Sequence, residues 1–142
     1  MVMGQTMATF SCVCLLICSC CVMTAAWYLH LKYKDWPMWK AIVLSWLLAF
    51  VEYLLQVPAN RIGHTEAKLS AATLRSIAEL AILTSFIIFQ VVVLHEPLKT
   101  NHVVGFGMVL AGVCVVVGGP WNSIVYSPPR SSTDNLPFRI LP

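Results

Sequence analysis

Two carboxylates, Glu52 and Glu79, lie inside long apolar stretches, and they are the residues of this chain best placed to do chemistry. An acidic side chain near the centre of a membrane helix costs about 2.5–3.5 kcal/mol on insertion scales, so its presence asks for a reason. Two such groups at one depth can hold a proton or a cationic solute, but not both. That is the chemistry of proton-coupled exchange. A plainer reading stands beside it. Arg75 precedes Glu79 by four residues and shares its helix face, which suits an ion pair. Gln56 follows Glu52 by four, and Glu52 is long enough to reach toward the interface. Trp46, Tyr53 and Gln56 fall close to one face of the same helix and are able to line an aqueous cleft. Glu52 is about 100° from Tyr53, so one cleft need not contain all four. The alternative for the two aromatics is contact with lipid.

Other candidate chemistry is thinner. Cys14, Cys18 and Cys21 share a helix face, and clustered thiolates can hold Cu(I). A thiol among apolar neighbours resists ionising, however, and cysteine is common as a small apolar residue. No metal site and no cofactor are read here. His95 and His102 flank the Glu96-Pro97 turn and read as loop residues. No HExxH, P-loop, GxGxxG or GxSxG pattern occurs, and nothing resembles a nucleophile with its base, so the chain does not read as an enzyme.

The elements that must position these residues follow from composition. The chain has 142 residues, of which 58% are hydrophobic and only 11% charged, with mean hydropathy +0.78. A soluble domain carries about 25% charged residues, and disorder needs still more polarity. Nine basic residues scattered over the loops leave no nucleic-acid footprint. An integral membrane protein remains, with the lipid bilayer as its first partner.

Four stretches approach the ~20 residues that a bilayer core requires. They cover about 8–31, 39–57, 74–94 and 103–119, within a domain of residues 8–119. None alternates as a barrel strand would, and backbone groups in lipid must be satisfied within each segment, so all four read as helices. Asp35-Trp36-Pro37 opens the second and Glu96-Pro97 the fourth. Pro58, Asn60 and Gly63 are expected to close the second and make a turn, and Gly118-Gly119-Pro120 ends the fourth. That boundary places Glu52 and Glu79 each about 7–8 Å inside the same membrane face. Trp27, Tyr28, Trp36, Trp39 and Trp121 sit at span ends as an aromatic belt. Short links favour antiparallel neighbours, so the fold class is an all-α membrane protein with four transmembrane helices in an up-down-up-down antiparallel bundle. Residues 1–7 form a short N-terminal segment without the basic residues of a cleaved signal. Residues 120–142 read as a polar, Pro- and Ser-rich disordered tail.

Orientation is weakly specified. Lys32, Lys34, Lys40 and Lys99 fall on one side, and Arg61, Lys68, Arg75 and Arg130 on the other. The positive-inside rule therefore has nothing to act on. One orientation is then set by the first helix or an insertion partner, or both orientations are inserted and pair. In the fourth span Gly105, Gly112 and Gly119 repeat every seven residues, and Gly107 with Ala111 adds a second small-residue pair. Such a stripe permits close helix contact, either within one bundle or in a homodimer, parallel or antiparallel.

Trp36-Pro37-Met38-Trp39, Ser45-Trp46, the run Glu52-Tyr53-Leu54-Leu55-Gln56-Val57-Pro58-Ala59-Asn60-Arg61-Ile62-Gly63, and Glu96-Pro97-Leu98 together carry a resemblance. The chain resembles a small four-helix family of the drug/metabolite transporter superfamily, catalogued as a domain of unknown function. The resemblance covers about residues 27–117. It implies a multi-pass membrane protein of transporter type and supplies no substrate; the leading expectation is a small transporter of a metabolite or cation in the plasma or bacterial inner membrane. Small multidrug-resistance proteins, distant relatives, are antiparallel dimers that exchange protons for cationic drugs at a glutamate of their first helix. The first span here has no acidic residue, so that glutamate has no counterpart. The competing expectation is a non-transporting membrane protein that packs against or assembles others.

Overall fold

The computed structural model describes residues 2–118, and side chains from Gly4 onward. Four α-helices follow one another: α1 Val2–Tyr28, α2 Met38–Thr65, α3 Ala71–Val92 and α4 Thr100–Gly118, with a 3-10 turn Leu29–Leu31 prolonging α1. No strand occurs among the described residues. All four helices are long and apolar enough to cross a membrane.

Their ends follow local chemistry. Pro37, with φ −63° and ψ 145°, is the N-cap of α2, and its carbonyl accepts the first helical bonds from Lys40 and Ala41. Asp35 supplies no cap. Ser70 caps α3 by accepting from the Thr73 backbone N–H at 3.1 Å, which satisfies one of the donors left over at a helix start. Between α2 and α3 the chain turns within residues 66–70. Lys68 takes a left-handed conformation there (φ 59°), and the Leu69 N–H donates to the Gly63 carbonyl. Gln5 fastens the start of α1 to this turn by donating to the Ala67 carbonyl.

One boundary corrects the expectation. The second helix does not close at Pro58; it runs on through Asn60 and Gly63 to Thr65. Proline removes one i→i−4 bond, here the one to the Leu54 carbonyl, but the packed neighbours of a membrane helix tolerate that loss. Gly63 is helical for a packing reason. A β-carbon at this position would stand 2.5 Å from Leu74 Cδ2 and 2.7 Å from Cys12 Sγ, so its absence lets three helices meet.

Cys12, Leu16, Ala59 and Leu74 form the buried core, which α1 shares with α2 and α3. Partners run in opposite sequence order along α1 and α2: Cys12 meets Gly63, and Ser19 meets Gln56 and Glu52. They run in the same order along α1 and α3, from Cys20 with Ala78 to Tyr28 with Phe86. The fourth helix packs on α3 alone, through Phe86 and Phe106 set edge to face at 6.1 Å, and buries no residue. Trp39, Trp46, Phe50 and Leu54 of α2 and Val103, Met108 and Val116 of α4 are exposed. So continuous an apolar surface belongs in lipid rather than water.

Candidate functional site

Ser19 is fully buried in α1, and its hydroxyl oxygen lies 2.6 Å from Glu52 Oε1 and 2.8 Å from Gln56 Oε1. A hydroxyl carries one proton, so it donates to only one of these oxygens. The other contact needs a second proton, either on the Glu52 carboxyl or from the Gln56 amide turned to present its NH2. Glu52 itself is 4% exposed. It has no ion pair among the described residues, whereas Glu79 is paired with Arg75 one turn away on α3. That pair leaves Arg75 largely exposed and Glu79 about one-third exposed.

A cleft of about 340 Å³ opens between α1, α2 and α3 and is lined by Glu52, Tyr53, Gln56, Arg75 and Glu79, with Cys20, Met23, Trp27 and Ile82 among its other walls. Four of the five residues proposed from the sequence, Glu52, Glu79, Gln56 and Tyr53, thus share one space. Trp46 does not line it. Seven residues before Tyr53, it sits about 10 Å farther toward the start of α2, on the exposed face.

The continuation of α2 also changes the depth of the site. Glu52 is not near a helix end but in the middle of α2. Its partner Ser19 lies eleven residues into the uncharged stretch that begins at Ala8, about 16 Å along α1. Glu52 and Ser19 thus each stand near the middle of their own helix, away from the helix ends.

The sequence did not single out Ser19, Asn60 or His64. Asn60, His64 and Arg75 border a second cavity of about 390 Å³, which shares Gln56, Arg75 and Ala78 with the first. The signal for Asn60 and His64 was their four-residue spacing from Glu52 and Gln56, hidden by the assumption that Pro58 ends the helix. Ser19 carries no such signal, being one hydroxyl in a cysteine-rich apolar run.

Among the described residues the glycine stripe of α4 has no close partner: a β-carbon at Gly105, Gly107 or Gly112 would meet nothing within 4 Å. Ala111 is likewise exposed, and Gly119 and the expected tail lie outside the described residues. All six cysteines are free thiols, and among the described residues no three metal-binding side chains converge.

Four apolar, membrane-length helices, three of them lining a polar cleft, define an integral, multi-pass membrane protein. Residues 12–117 match the family described as "Putative member of DMT superfamily (DUF486)". The chain belongs to this family, as the residues around Glu52–Gly63 suggested. No curated protein and no solved structure matches it.

Proposed function

We propose that the protein is a transporter of a small metabolite or cation, proton-coupled at Glu52 and working as a homodimer. One observation carries this reading: a buried carboxylate, hydrogen-bonded to Ser19 and with no cation paired to it among the described residues, opens onto a cleft between three apolar helices. A group serving only to hold helices together is more cheaply apolar, since buried polar groups contribute little net stability. Glu79, Gln56 and Tyr53 complete the cleft as binding groups, and Arg75 balances Glu79. The glycine face of α4 is where a second copy is proposed to pack.

The test compares Glu52→Gln with Glu79→Gln in cells whose metabolite uptake and efflux are profiled with and without the gene. Folded yield is measured alongside. Gln keeps size and hydrogen bonding and removes the charge. The expected result is that both variants fold, with pH-dependent flux abolished in Glu52→Gln and largely kept in Glu79→Gln, whose pair with the exposed Arg75 is solvent-screened. Full flux in Glu52→Gln sinks the proposal. A non-transporting assembly protein remains the second reading, favoured by the open space over Gly105, Gly107 and Gly112 among the described residues, and it predicts no gene-dependent flux at all.

A further inference from the structure

Along α2, every fourth residue from Glu52 is polar: Gln56, Asn60 and His64 follow toward the α2–α3 turn. In the other direction the same spacing gives Leu48 and Leu44. Each step of four turns about 40° around the helix, so the row winds gradually, polar on one side of Glu52 and apolar on the other, and Gln56, Asn60 and His64 border one cavity. The two cavities follow this division. The one bordered by His64, Asn60 and Gln56 joins the one holding Glu52 through their common walls Gln56 and Arg75. Beyond Glu52 the walls become Met23, Trp27 and Ile82.

We propose that this stripe is a one-sided hydrated lane, about 18 Å long, that leads water and protons from the α2–α3 turn to Glu52 and stops there. The extension of α2 past Pro58 builds it, because only a continuous helix keeps Asn60 and His64 in line with Gln56. Amide and imidazole groups in the lane can each hydrogen-bond water, which a lane of leucines cannot. At its outer end the His64 ring is anchored through Nδ1 to the Leu69 carbonyl at 3.0 Å. At its inner end Glu52 is faced by Ser19 and Cys20 of α1, by Tyr53 and Gln56 of its own helix, and by Arg75 and Glu79 of α3. The last two pair with each other, which leaves Glu52 as a carboxyl at that end without a cationic partner among the described residues. A proton arriving there changes the net charge of the site.

The test reads water rather than transport. Single cysteines replace His64, Asn60, Gln56, Leu48 and, as a lipid-facing neighbour of Gln56, Val57, in the full chain in sealed vesicles with the native cysteines blocked or replaced. Each is exposed to a water-soluble cationic methanethiosulfonate. The expected labelling rates fall in the order His64→Cys, Asn60→Cys, Gln56→Cys, with Gln56→Cys at least about tenfold faster than Val57→Cys and Leu48→Cys, since a charged reagent is excluded from hydrocarbon. Leu48→Cys reacting as fast as Gln56→Cys overturns the one-sidedness, and Val57→Cys doing so overturns the lane. Hydroxyl-radical footprinting of the unmodified protein guards against variants that misfold: oxidation at Tyr53 with none at Trp46 supports the lane, and equal oxidation overturns it. The lane rests on the reading of Glu52 as a coupling group only for its use. Labelled lane residues with no flux would sink the transport reading alone, and flux with an unlabelled Gln56→Cys would sink the lane alone.

Discussion

Ser19 sits where a single hydroxyl must serve two oxygens, and its energetic link to Glu52 is measurable apart from any transport. Hydrogen bonds to charged partners contribute roughly 1.5–3 kcal/mol net, and neutral ones about half that. Removing the hydroxyl with Ser19→Ala strips Glu52 and Gln56 of their shared partner in a fully buried position. Thermal stability in detergent is expected to fall by about 1–3 kcal/mol. In a double-mutant cycle with Glu52→Gln the two losses should fail to add, by at least about 0.5 kcal/mol. Strict additivity would mean that the short Ser19–Glu52 contact carries no stability. Glu79 is the contrasting case. Its partner Arg75 is mostly exposed, so solvent screening keeps that pair weak, and its proposed role is to balance charge in the cleft.

Among the elements, α2 decides the most, because its length sets the depth of Glu52 and the line of the polar stripe. Gly63 is the joint that lets it run close to α1 and α3. Gly63→Ala places a methyl group under 3 Å from both Leu74 Cδ2 and Cys12 Sγ, two buried side chains that must then shift. Overpacking of this kind costs roughly 1–3 kcal/mol. Shortening the obstacle with Leu74→Ala creates a cavity by itself, yet in combination with Gly63→Ala the added methyl partly fills it. The double variant should therefore be more stable than the sum of the single losses predicts, read as the shift in unfolding temperature in detergent. A Gly63→Ala protein as stable as the parent would show that α2 does not need this close approach.

For the molecule as a whole, α1, α2 and α3 enclose the site while α4 lies outside the core against α3 only. A helix with no buried residue and an open row of glycines contributes little to the monomer, and a partner is where its packing would count. Gly112→Leu adds four heavy atoms to that row. If a second copy packs there, crosslinking yield and thermal stability in detergent both drop, with a cost of roughly 1–3 kcal/mol. If both are unchanged, the stripe faces lipid and the proposed dimer is wrong. Neither outcome removes a wall of the cleft, whose lining residues come from α1, α2 and α3.

Composition and apolar length alone determined that four helices cross a membrane, because hydrocarbon leaves the backbone few other ways to satisfy its polar groups. The run from Glu52 to Gly63 likewise determined the family, and spacing by four made the Arg75–Glu79 pair legible. Helix ends were less so. Proline and glycine stop helices in water, but in α2 the contacts with Cys12 and Leu74 hold Gly63 in place, and that information lies 51 residues before it and 11 after. The partner of Glu52 was beyond reach for the same reason, since Ser19 is 33 residues away. Period-four spacing reports only which residues share a face of one helix. Which face of another helix they meet, and how deep, is decided by how side chains from separate segments fit together.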